Sequence, residues 1–429
     1  MHLQAGENVL ASRDCALTMS IIKHVRGKLR NAFALLVLGV FQKTLGWYFR
    51  LTAKWHPERN FSTPKNILVF ELAGIGDTVL GSAFLRELRR LFPDANIALT
   101  VRPSVLNLVE ECPYINHLLP FDYRFSKSWI QMRAGSLRWW IQAVKFAATH
   151  LWPLKVDMVI SPRWDSDPIY AVSAILAFAS GASRRVGYLP SNHESKTSRV
   201  VRRVAELFTE GPLRQSTKHE VEMQLDVLRH LSETPLSSDL EVWLSISDRK
   251  IAAKVVNSSR NILVAIAPGA GWKFREWSAA NFSAIGKWLQ HNYNADILLV
   301  GSQADENLCR SIGSELTTTK VRNLAGQLSL REMAAIFECC SLFVGNDSGP
   351  LHVAAAAQIP LVGLYGPGLY ERFRPWSSQY EAVDLKLACS PCFEQCIFDS
   401  PHCMEGIGEE LVKAAIDRQL QLKSSSVRS

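Results

Sequence analysis

Three groups of residues carry the chemistry this chain can offer. The first is Leu342-Phe343-Val344-Gly345-Asn346-Asp347-Ser348-Gly349-Pro350-Leu351-His352, an apolar run that ends in a polar turn and passes into helix-forming residues at Ala354–Ala357. Asp347 or Ser348 suits a helix N-cap, and Pro350 suits the first helical turn, where its missing N–H costs nothing. Gly349 lets another group approach the backbone closely. Free N–H groups and the positive end of the helix dipole then coincide with His352, so the turn predicts an anion site, phosphate by preference. An ordinary strand–turn–helix capped by Asp or Ser reads the same way. The second group is Ala73-Gly74-Ile75-Gly76-Asp77, between the apolar strand Asn66–Phe70 and a helix expected over Thr78–Phe92. Asp77 stands where a strand meets its helix, at the edge where open α/β sheets bind ligands, and its carboxylate can take a proton or cap the helix. The third is the loop Pro268–Trp277, which offers glycines and two cations, Lys273 and Arg275, after a strand over Ile262–Ala267.

These groups need a frame, and the pattern supplies one. Short apolar strands alternate with amphipathic helices: Asn96–Val101 and Val156–Ser161, a buried helix at Pro168–Ala179, then Asn281–His291 and Ala295–Val300. Ala295–Val300 ends at Gly301, with Asp305 close behind. Ser329 and Glu332 form a capping box at the start of a helix that runs to about Cys339, and Leu361–Tyr365 supplies a strand after the His352 helix. The fold class is therefore α/β, with two facing doubly wound Rossmann-like domains over residues 65–235 and 255–415 and a linker near Ser232–Asp239. The glycines near Asp77 do not match the dinucleotide fingerprint, because Val79 occupies the third glycine position and no acidic residue ends Asn96–Val101. This argues against a nicotinamide enzyme.

The remaining chain points to an anionic surface. The formal charge is +8, and no acidic residue lies between Cys15 and Pro57, which hold Lys23, Arg26, Lys28, Arg30, Lys43, Arg50 and Lys54. Within this extension, residues 1–60, a basic amphipathic helix is expected over 20–50, with Ile22, Val25, Leu29, Phe33, Leu36 and Val40 on one face and Trp47, Tyr48 and Phe49 as an interfacial anchor. Its apolar run Ala32–Phe41 is too short to span a bilayer, for which about 20 residues are needed. The favoured partner is an anionic membrane surface; a helix packed on the protein body is the alternative, a single tilted span a weaker third, and nucleic acid is disfavoured because no binding motif accompanies the charge. Residues 124–153 set Trp129, Trp139, Trp140 and Trp152 among Lys127, Arg133, Arg138 and Lys145, a mixture suited to a headgroup boundary or to an ordinary helix with one buried face. Arg184–His219 reads as a basic loop, either able to meet an acidic acceptor or an ordinary solvated surface loop. Met1–Cys15 shows no secretory signal, and scattered cysteines suit a reducing compartment. Cys389, Cys392, Cys396 and Cys403 form one cluster, open to structural zinc, a local disulfide or reduced packing thiols.

Taken together, Gly74-Ile75-Gly76-Asp77, the Pro268-Gly269-Ala270 loop ending in Trp277, and Asn346–His352 resemble glycosyltransferase family 9, which contains the lipopolysaccharide heptosyltransferases. The resemblance runs from about Asn66 to Ile407. It implies a GT-B architecture, with a nucleotide-sugar held mainly by the second domain, and an inverting transfer without a metal ion or cofactor. It assigns Asp77 to deprotonating the acceptor hydroxyl across a cleft, and Ser348, Gly349 and His352 to the donor diphosphate. Gly76 and Asp347 shape the two turns. The family usually has Lys two residues before the loop tryptophan, where this chain has Arg275 with Lys273 nearby; both are expected at the donor, although Arg and Lys differ in geometry. Asp305 resembles an acidic residue that holds ribose hydroxyls. The implied donor is ADP-heptose, the acceptor a lipopolysaccharide-type or other lipid-linked glycan, and the location the cytoplasmic face of the bacterial plasma membrane. A nucleotide-sugar epimerase of the same architecture and a non-catalytic nucleotide-sugar-binding membrane protein are the rival readings.

Overall fold

The computed structural model describes residues 36–47, 63–122, 137–164, 168–190, 199–214, 218–231, 234–256, 261–392 and 396–426. Two sheets of parallel strands organise them. The first contains β1 (Asn66–Glu71), β2 (Asn96–Val101), β3 (His117–Pro120), β4 (Met158–Ser161) and β5 (Arg184–Gly187), in the order β3-β2-β1-β4-β5. The second contains β6 (Leu263–Ala267), β7 (Asp296–Leu299), β8 (Val321–Asn323), β9 (Leu342–Asn346), β10 (Leu361–Tyr365) and β11 (Tyr380–Asp384), in the order β11-β10-β9-β6-β7-β8. The α/β class expected from the alternating pattern is the observed one.

The strand orders matter for function. In each sheet the first strand has the second and third on one side and the fourth on the other, so β1/β4 and β6/β9 are switch points. Connections leave such a pair in opposite directions, which opens a crevice at the carboxyl ends of the strands. The Gly74–Asp77 turn follows β1, the Arg275 loop follows β6, and the Asp347 turn follows β9. Every residue of β6, β9 and β10 is buried, as expected of parallel strands covered on both faces. Their side chains pack with Phe282, Ile285 and Leu289 of helix Ala279–Tyr293, and with Val412, Ala415 and Ile416 of helix Glu409–Ser426. This dry core fixes where the β6 and β9 loops emerge.

By packing, the chain separates into two compact units: residues 1–68 with 122–214, and residues 69–121 with 215–429. Several local expectations need correction. The helix expected over Thr78–Phe92 is two helices, Ile75–Leu80 and Ser82–Leu91, hinged at Gly81. Strands β3, β5 and β11 and helix Ile246–Val256 had no clear periodicity in the sequence. In the basic extension, residues 36–47 are helical and bury Leu38 and Phe41, with the Phe41 ring 5.7 Å from that of Phe178. Leu36 and Val40, assigned to its apolar face, are exposed together with Trp47. The rest of the expected 20–50 helix and Lys127, Trp129 and Arg133 lie outside the described residues. Among the described residues no helix is long and apolar enough to cross a membrane.

Candidate active site

Within the second unit, two helix N-termini meet. Helix Ile75–Leu80 begins at Gly74, whose N–H donates to Asp77 Oδ2 at 3.0 Å, so Asp77 closes its own first turn. Helix Gly349–Ala356 begins at Ser348, and its first residue lies against the first turn of the other: a Cβ on Gly349 would come within 2.9 Å of Ile75 Cβ. The approach is equally close at Gly76, where a Cβ would overlap the His352 imidazole. Glycine is required at both positions by neighbouring atoms. Two positive dipole ends brought together favour an anion between them.

Charged side chains surround this point. Asp347 and His352 are each 5% exposed. The Asp347 carboxylate packs on the Gly368 backbone and meets Arg275 Nη1 at 3.3 Å, longer than a good charge-assisted hydrogen bond. Burial pushes its pKa upward; Arg275 and His352 oppose that shift and Asp77 adds to it. Burial lowers the pKa of His352, while Asp347 and Asp77 pull it back up. His352 Nδ1 and Arg275 Nε are buried without a hydrogen-bond partner among the described residues. Ser348 does not cap its helix through its side chain; the hydroxyl turns back to the Asn346 carbonyl at 3.2 Å.

The Arg275 loop is held by a residue whose role the sequence pattern did not reveal. Asn346, fully buried at the end of β9, donates through Nδ2 to the Pro268 carbonyl at 2.8 Å and accepts the Trp277 N–H through Oδ1 at 3.1 Å. One amide therefore ties both ends of the Pro268–Trp277 loop to the Asp347 turn. Trp277 anchors the loop further, donating from Nε1 to the Ile407 carbonyl at 2.9 Å. The available signal was an amide side chain ending an otherwise apolar strand, where a buried polar group must find partners.

Of the expected site residues, Gly76, Asp77, Arg275, Asp347, Ser348, Gly349 and His352 are brought together. Asp305, in the turn Gln303–Asp305 after β7, sets its carboxylate against Gly269 at the start of the Arg275 loop, with Oδ2 accepting the Ser302 N–H at 2.8 Å and hydroxyl at 2.7 Å. Lys273 is exposed and paired with Glu276. Cys389, Cys392, Cys396 and Cys403 are free thiols, and among the described residues no group of three or more His, Cys, Asp or Glu side chains is arranged to hold a metal.

The turn after β9 and the Gly74–Asp77 turn after β1 thus meet at the switch points of their two sheets. Residues 170–402 match glycosyltransferase family 9 (heptosyltransferase), just over half of the chain, and the protein belongs to that family. It is 29% identical to lipooligosaccharide heptosyltransferase 2 of Campylobacter jejuni subsp. jejuni serotype O:6 over 46% of this chain; the match spans 64% of that relative's length. It is 26% identical to lipopolysaccharide heptosyltransferase 3 of Escherichia coli over 72% of this chain and 87% of the relative. The solved structure of E. coli ADP-heptose lps heptosyltransferase II matches 84% of this chain and 99% of its own, with a TM-score of 0.63 at 20% identity, a likeness of fold.

Proposed function

We propose that the protein is an inverting, metal-independent glycosyltransferase that moves a sugar, heptose from ADP-heptose, onto a lipopolysaccharide-type glycan. The supporting observation is the convergence of the Gly349–Ala356 N-terminus, His352 and Arg275 on one point beside Asp77. Loss of a nucleoside diphosphate builds charge on the leaving oxygens, and positive groups already in place there lower the barrier. Ser348 and Gly349 present backbone N–H groups, and Arg275 and His352 neutralise the diphosphate. Asp347 is kept from the ligand by its own charge and orients Arg275. Asp77 serves as general base, taking the acceptor proton as the hydroxyl becomes acidic late in the attack. Asp305 contacts the ribose, with Lys273 at the margin. Residues 65–235 would bind the acceptor and 255–415 the donor. The relatives are named lipooligosaccharide and lipopolysaccharide heptosyltransferases and the structural neighbour an ADP-heptose heptosyltransferase, and these names support the choice of substrates.

Exposed Leu36, Val40 and Trp47, with exposed Ile141 in helix Leu137–Phe146 of the same unit, support a peripheral seat for the basic extension on an anionic cytoplasmic membrane face. Incubation with ADP-heptose and with other ADP- and UDP-sugars, in the presence of a heptose-deficient lipopolysaccharide acceptor, tests the reading. ADP release coupled to acceptor glycosylation is the expected result. Reversible epimer formation without transfer would replace the reading with an epimerase.

A further inference from the structure

Apart from the groups at the diphosphate site, the second unit contains a buried cluster of charge that the proposed mechanism does not use. Glu220 opens helix Glu220–His230 and is 0% exposed. Its Oε2 accepts from Arg372 Nε at 2.7 Å and Nη2 at 2.6 Å, and its Oε1 accepts from Gln224 Nε2 at 3.3 Å. Arg372 belongs to the short helix Tyr370–Phe373 that follows β10. The neighbouring His219 makes a second tie. Its Nδ1 accepts the Val221 N–H at 3.2 Å, so the neutral ring carries its proton on Nε2 and donates it to the Arg374 carbonyl at 2.8 Å. The Trp376 ring covers it, with centroids 4.5 Å apart.

Both ends of this clasp lead to the site. On one side, Gln224 Oε1 packs on Gly81, 3.0 Å from where a Cβ would stand, and the Gly81 N–H donates to the Asp77 carbonyl at 3.0 Å. On the other side, the Tyr370 N–H donates to the Gly368 carbonyl at 3.1 Å, and Gly368 is the backbone against which the Asp347 carboxylate packs. The helix of Asp77 and the turn of Asp347 and His352 come from different sheets; besides their direct contact at Gly76 and Gly349, they are joined through Glu220 and Arg372. A buried ion pair is a poor source of stability, because desolvation offsets its attraction and apolar replacements often do as well. What the forked guanidinium adds over an apolar pair is direction.

We infer that Glu220 and Arg372 are positioning residues for transfer, setting Asp77 relative to the donor phosphates; this rests on the functional reading above. Every proposed donor contact lies on the β6 to β10 side, so loss of the clasp displaces the base while leaving the donor bound. The test is the double variant Glu220→Met/Arg372→Met, with Arg372→Lys as the milder partner that keeps the charge and loses the fork. For the double variant the expected result is a thermal midpoint within a few degrees of wild type, a kcat lowered at least tenfold and a donor KM changed less than threefold. Hydrogen exchange should quicken in peptides spanning 72–82 and 366–376. Arg372→Lys should lower kcat by a smaller factor in the same pattern, and decides the matter if the double variant does not fold. A folded variant with wild-type kcat and unchanged exchange in both peptides overturns the inference. If wild type transfers no sugar at all, the functional reading falls, and exchange in those two peptides alone decides whether the clasp positions the helix and the turn.

Discussion

Two buried clusters of charge lie in the same compact unit and are built in opposite ways. Around Glu220 the pairing is close: two contacts from Arg372 at 2.6 and 2.7 Å, an amide from Gln224, and a neutral His219 with both ring nitrogens engaged. Around Asp347 it is loose: one ion-pair contact at 3.3 Å, with Arg275 Nε and His352 Nδ1 lacking hydrogen-bond partners among the described residues. Buried polar groups are normally satisfied, and an under-satisfied set with opposed pKa shifts marks a place where a ligand completes the pairing. On the proposed reading the tight cluster is frame and the loose one is site. Burial alone does not separate them; the pairing of their charged groups does, for around Glu220 the atom without a partner among the described residues is a neutral amide oxygen, Gln224 Oε1.

Mutations can break that contrast. Asp77→Ala removes the proposed base and should lower transfer by about 10³-fold, within the range for a lost general base, while ADP affinity stays within a factor of three. Steady-state rates beside calorimetric ADP titration check this, and near-normal transfer would move the base role to another residue. Next come two substitutions of opposite character. Glu220→Ala strands Arg372 and should cost about 3–5 kcal/mol of stability in urea unfolding. Arg275→Met should cost less stability than that, because its contact with Asp347 is long, yet weaken ADP binding by roughly tenfold or more, the loss of a hydrogen-bonded charge contact. The same phenotype from both would erase the distinction between frame and site.

A pH titration sharpens it further. Burial lowers the His219 pKa from 6.5 to about 4, helped by the nearby positive charges of Arg374, His352 and Arg372 and resisted by its bond to the Arg374 carbonyl. The unfolded chain therefore binds the proton more readily between those values. The stability from neutral His219 is complete above pH 6.5 and is lost as pH falls toward 4, by up to about 3 kcal/mol. Urea unfolding across that range should slope accordingly, and His219→Gln should flatten the slope. The smallest effect belongs to Lys273, which is exposed and paired with Glu276. Lys273→Ala should change ADP affinity less than threefold, and a larger loss would return this lysine to the core of the donor site.

Much of this was legible in the chain, for reasons that differ by residue. The β6, β9 and β10 strands are continuous apolar runs because both faces are covered, and the turns after them hold Gly, Asp and Ser at the positions their geometry needs. That pattern, together with strand β1 and its Gly74–Asp77 turn, singled out Asp77, Arg275, Asp347 and His352, which the fold brings together. Strand β5, Arg184–Gly187, was hidden because its arginines are structural: Arg184 pairs with Glu210 at 2.8 Å and Arg185 donates to the Leu207 carbonyl at 2.6 Å. The same basic run had suggested an acceptor loop. Glu220 and Arg372 lie 152 residues apart, and no local pattern pairs them. Lys273 and Arg275 look equivalent in sequence, but a short 3₁₀ turn, Lys273–Arg275, directs one toward Glu276 and the other toward Asp347.

The direct test is calorimetric titration of ADP and AMP into wild type and into a folded Arg275→Met/His352→Gln double variant. Wild type should bind ADP more tightly than AMP, because the second phosphate meets the Gly349–Ala356 N-terminus, Arg275 and His352, and the double variant should lose at least tenfold in ADP affinity. Equal ADP affinity in the two proteins would contradict a diphosphate site at the Asn346–His352 turn.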